Sequence, residues 1–138
     1  MSEPVMPEAV MPEAVVISLL AELSRLLERL VRTEETAAID LRSLPITPDD
    51  RAALTTALGR GEVRVTVESG GRSELVETGY PGIWWVRHLG AGDRVLTERI
   101  EIAPVPEALA AAPADIAAAA DRLAAHLAAL AERESSNA

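Results

Sequence analysis

Between residues 62 and 102 the chain makes four short extended runs, joined by connections too brief to hold a crossover helix. Nothing else in the sequence limits the fold so tightly. Residues 62–68 alternate, with Val63, Val65 and Val67 on one face and Arg64, Thr66 and Glu68 on the other. Gly70-Gly71 is a tight-hairpin signal, residues 73–79 form the return strand, and Pro81-Gly82 turns the chain into Ile83–Leu89. After the Gly90–Asp93 loop a fourth strand runs over 96–102, with Leu96, Ile100 and Ile102 pointing one way and Thr97, Arg99 and Glu101 the other. Parallel pairing requires a long connection, so these strands form a four-stranded antiparallel meander. It has one apolar and one polar face, and helices must cover the apolar one. The fold class is α+β.

Helical patterns flank the sheet. Leu19, Leu23, Leu26, Leu27 and Leu30 fall on one side of an amphipathic helix over 14–33, with Glu22, Arg25, Glu28, Arg29 and Arg32 largely opposite. Such a stripe packs as readily on a second copy as on its own sheet, so a homodimer is one expectation. Ahead of it, residues 1–13 read as a flexible segment carrying a tandem Val-Met-Pro-Glu-Ala repeat, whose last proline, Pro12, can open the helix. Residues 34–47 lack periodicity and read as a linker. Thr47 is then an N-cap, Pro48 the first helical position, and Asp49 and Asp50 favour the positive end of the helix dipole. Ala53, Leu54 and Leu58 supply this helix's stripe, and Gly59 or Gly61 ends it. After Pro104, Pro106 and Pro113, a last Ala-rich helix carries Ile116, Ala120, Leu123, Leu127 and Leu130 at helical spacing.

The core of such a domain has to be aliphatic, because the chain holds no Phe, one Tyr and two Trp. Cys is absent as well, which excludes disulfides, thiolate metal sites and a cysteine nucleophile. A formal net charge of −9 without a dense basic stretch argues against nucleic acid and against an anionic membrane surface. The N-terminus carries Glu where a signal peptide would be positive, and charges interrupt the best apolar run, so a cytoplasmic protein without membrane insertion is expected.

Catalytic patterns are not found. His88 and His126 lie in different elements without a metal-ligand spacing partner, and Ser69 has none of the frame of a nucleophile elbow. Gly59-Arg60-Gly61 and Gly90-Ala91-Gly92 lack the placement and the Lys of a phosphate loop. Asp49-Asp50 and Glu34-Glu35 read as a helix cap and a solvated linker rather than acid–base pairs. Neither an enzyme, a metal nor a cofactor is expected. One stretch stands apart: Tyr80, Trp84, Trp85, Arg87 and His88 gather every aromatic residue beside charge within nine positions. Alternation on a strand sends Trp84 and Trp85 to opposite sides of the sheet. Either helices bury both, or one is exposed beside Arg87 as a protein-binding hot spot. These five residues are the candidate protein-binding site.

That stretch and its flanks carry a resemblance. LPITPDDRAAL and LGRGEV within 44–63, the ET, Tyr and PGIWWVRH of 77–88, ERIEIAPVPEAL over 98–109 and PADI over 113–116 resemble the C-terminal conserved region of the HupH/HyaF family of hydrogenase expression and formation proteins. The similarity runs through most of the chain and outlines a C-terminal domain over 40–133. The resemblance implies a non-catalytic accessory factor or chaperone for maturation of an uptake nickel–iron hydrogenase. Its implied partners are the iron–sulfur small subunit, held before export and assembly, and a thioredoxin-like accessory protein. Family members commonly carry another region ahead of the conserved one, where this chain has a single amphipathic helix and the short repeat. The alternative is a structural or oligomerising subunit of a hydrogenase-associated complex, joined through the N-terminal helix.

Overall fold

The computed structural model describes residues 13–68 and 70–137; most of the N-terminal repeat, Pro12 and Ser69 lie outside them. The chain divides into two compact units, Met1–Pro106 and Glu107–Ala138.

The first unit holds one antiparallel sheet and two helices. Helix α1, Ala14–Thr33, closes on Glu34, whose backbone takes the left-handed conformation (φ 62°) and donates its N–H to Leu30 O. Its stripe goes inward. Val16, Leu19 and Leu23 are buried, and Leu20, Leu26, Leu27 and Leu30 pack partly buried against the same core. The leucine side thus packs on the chain's own interior, with Leu20, Leu26, Leu27 and Leu30 incompletely covered. Helix α2, Pro48–Leu58, starts with a complete capping box. Asp50 N–H donates to Thr47 Oγ1 at 3.1 Å, and Thr47 N–H donates to the Asp50 carboxylate at 3.0 Å. Gly59, at φ 67°, ends the helix. Two residues on, Gly61 N–H donates to Glu77 O at 2.8 Å and Gly79 N–H to Leu58 O at 2.9 Å, which presses this loop flat on the sheet. A Cβ on Gly61 would lie 2.6 Å from Thr78 O and also strike the Glu77 carboxylate, so only glycine fits there.

The sheet has five strands rather than four. They are β1 (Ala37–Asp40), β2 (Arg64–Glu68), β3 (Arg72–Glu77), β4 (Ile83–Leu89) and β5 (Val95–Ile102), ordered β1-β5-β4-β3-β2. β2 to β5 form the expected meander. The extra strand, β1, falls in the presumed linker and pairs antiparallel with β5, Ala37 opposite Ile102 and Ile39 opposite Ile100. It is four residues long and half alanine, too short and too weak in strand propensity to show as a pattern. The exposed edge of β5 supplies the pairing.

Both faces bury apolar groups, which corrects the expectation of one apolar and one polar face. Beneath α1 and α2 lie Ile83, Ile100 and Ile102 with Ala37, Ile39 and Trp85. The opposite parity holds Leu75, Trp84 and Val86, also buried. Each buried aliphatic side chain contributes roughly 2 kcal/mol of transfer free energy. Trp84 keeps its indole donor satisfied by giving Nε1–H to Ala103 O at 3.2 Å.

The second unit contains helix α3, Pro113–Ser136, with Pro113 in its first turn and Asp115 beside it. None of its residues is buried, and Ile116, Leu123, Leu127 and Leu130 are exposed. Among the described residues no helix is long and apolar enough to cross a membrane.

Candidate functional site

Helical spacing puts Arg51, Thr55 and Leu58 on the side of α2 that faces the sheet. The strand register sets out the residues they meet. On β5, β4, β3 and β2 one rung runs Ile100, Trp85, Val76, Arg64, and the next runs Glu98, Arg87, Glu74, Thr66. An open cleft of ≈ 180 Å³ lies between α2 and these rungs, lined by Arg51, Arg60, Arg64, Glu74, Val76, Trp85, Arg87 and Glu98 among others.

Glu98 organises the cleft. It is 1% exposed, a position where a lone carboxylate would cost several kcal/mol. Two hydrogen-bond donors and one further ion-pair partner offset that cost. Arg51 donates from its Nη2 to Glu98 Oε2, Trp85 Nε1–H donates to the same oxygen at 2.9 Å, and Arg87 Nε lies 3.5 Å away. Arg51 also stands over the Trp85 ring, 5.8 Å from its centroid, in cation–π geometry. Burial, and then the charge of nearby Arg87, hold the Arg51 guanidinium below its ordinary pKa. Glu74 adds a weaker ion pair to Arg87 at 3.9 Å.

The five candidate residues do not make one surface. Trp85 and Arg87 meet in the cleft, where Trp85 is half-buried. Trp84 is 6% exposed on the opposite face, so it is an interior residue and offers no contact area. His88 shares that opposite face, with Nδ1 2.5 Å from Ser73 Oγ. Tyr80 is exposed at the β3–β4 turn, where Thr78 Oγ1 donates to Ile83 O. Arg51, Arg60, Arg64 and Glu98 belong to the cleft and escaped the sequence reading. The signal was there for Glu98, which shares the parity of Ile100 and Ile102 and therefore had to sit among them.

Chemically the cleft is a set of guanidinium donors around a buried acid. No His lines it, and among the described residues no group of three or more potential ligands could hold a metal ion. Asp50 is engaged in its helix cap and Glu35 pairs with Arg29. The arrangement suits recognition of an anionic group.

Comparison with known proteins gives these features a context. Residues 14–130 match the model of the HupH hydrogenase expression protein family, C-terminal conserved region. The hydrogenase expression/formation protein HoxQ of Azotobacter vinelandii is 34% identical over 109 residues, covering 79% of this chain and 38% of the relative. The hydrogenase-1 operon protein HyaF of Escherichia coli (strain K12) is 35% identical over 86 residues, covering 62% of this chain and 30% of the relative. The chain thus spans about a third of the length of these curated relatives. The solved structure of the hydrogenase expression protein HupH from Thiobacillus denitrificans ATCC 25259 superposes with a TM-score of 0.78 at 42% identity, covering 86% of this chain and 98% of that one.

Proposed function

The chain belongs to the HupH hydrogenase expression protein family through that family's C-terminal conserved region, and from this premise we propose that it is a non-catalytic accessory factor in the maturation of an uptake nickel–iron hydrogenase. Its client is the iron–sulfur small subunit, held in the cytoplasm before export and assembly, with a thioredoxin-like accessory protein alongside. The observation that carries the reading is the family match over 14–130, together with relatives named for hydrogenase expression and formation. The cleft supports it. Guanidinium groups fixed by a buried carboxylate, without a nucleophile–base pair among them, are suited to gripping a partner rather than transforming a substrate.

The test is affinity purification of the tagged full chain from cells that make the hydrogenase. The small subunit in its unexported form should be retained. If it passes through while the tagged chain is folded and abundant, the proposal fails.

A further inference from the structure

The cleft is cationic on a chain that is otherwise acidic. Four guanidinium groups line it against two carboxylates, whereas the whole chain carries a formal net charge of −9. Arg51 and Arg87 are committed to Glu98. Arg60 and Arg64 are exposed, and among the described residues neither has an ion-pair partner. The chain has no lysine, so its permanently charged cations are all arginine, whose planar fork matches a carboxylate in bidentate fashion. Between the arginines, Trp85 and Val76 give the cleft an apolar floor.

We propose that this cleft docks an acidic peptide segment of a partner protein, two of its carboxylates pairing with Arg60 and Arg64 while an apolar side chain between them rests on Trp85 and Val76. The assignment of the partner as a protein rests on the accessory-factor reading above. Charge complementarity favours a peptide over nucleic acid. A polyphosphate strand would extend beyond four arginines onto an acidic surface, while a segment with a few carboxylates confines its charge to the cleft. The committed arginines are part of the device. Held by Glu98, with Glu74 alongside, they leave the excess positive charge of the cleft to the two free ones, which meet the ligand.

Fluorescence anisotropy of the full chain with a fluorescein-labelled Glu-Asp-Leu-Glu-Asp peptide tests this directly. Saturable binding is expected, weakened by added salt and lost when the probe's acids are replaced by their amides. The double variant Arg60→Gln, Arg64→Gln should bind roughly tenfold more weakly or worse. Both positions are exposed, so its circular dichroism and urea midpoint should match the parent's, and those measurements accompany the titration. Absence of binding by the parent, or equal affinity in the double variant, overturns the proposal. So does tighter binding of a labelled oligothymidylate than of the peptide. The pulldown separates the two claims. Equal recovery of the small subunit by parent and double variant sinks the cleft as its docking site and leaves the maturation role standing. A parent that binds the peptide but recovers no small subunit does the reverse.

Discussion

One face of one sheet is built in two ways. Over β1, β5 and the start of β4, helices α1 and α2 lie on Ala37, Ile39, Ile83, Ile100 and Ile102. Over β3 and β2 the positions of the same parity are Arg72, Glu74, Val76, Arg64, Thr66 and Glu68, none of them buried. A single rung shows the change: half-buried Ile39, buried Ile100, half-buried Trp85 and Val76, and exposed Arg64 run side by side. Polarity therefore follows the helical cover and not the strand. The transition is a hydrogen-bonded seam, where Glu98 is buried and Arg87 reaches from it towards Glu74.

Four substitutions probe that contrast. Ile100→Ala, at the centre of the covered half, should cost about 3 kcal/mol of unfolding free energy by urea titration. A loss under about 1 kcal/mol would mean that the helices do not seal this half. Glu98→Gln, on the seam, should cost about 2 kcal/mol. Its two guanidinium partners keep part of their hydration, at 39% and 37% exposure, so the loss stays short of that for a fully enclosed pair. Thr47→Ala removes half of the capping box that starts α2 and should lower stability by about 1 kcal/mol, read as a fall in the thermal midpoint. Arg64→Gln, on the open half, should change stability by no more than about 0.5 kcal/mol. A larger destabilisation would erase the distinction between the halves.

Local chemistry was readable from the sequence, and long-range partnership was not. The Thr47–Pro48–Asp50 start of α2 shows in the residue types because a cap is made within four positions. The Leu19/Leu23 stripe and the β2–β5 meander likewise depend on periodicity and short turns. β1 did not show, since Ala37-Ala38-Ile39-Asp40 becomes a strand only because β5 offers an edge some sixty positions away, roughly sixty being its register offset. The cleft failed to show for a related reason. Arg51 and Glu98 are separated by 47 residues, and nothing in the residues around either one names the other. The aromatic cluster misled through sequence proximity: alternation on β4 sends Trp84 and Trp85 to different environments, one an interior indole bonded to Ala103 and the other the floor of a charged cleft.

The tight seat of Gly61 has a consequence for the arginine before it. Arg60 stands between Gly59, where α2 stops, and a residue that no larger side chain can replace without lifting the loop off Thr78. The neighbour that aims this cation has no side chain of its own. A methyl group added at Gly61 would re-aim the neighbouring charge, detuning the cleft while every ionisable residue in it was retained.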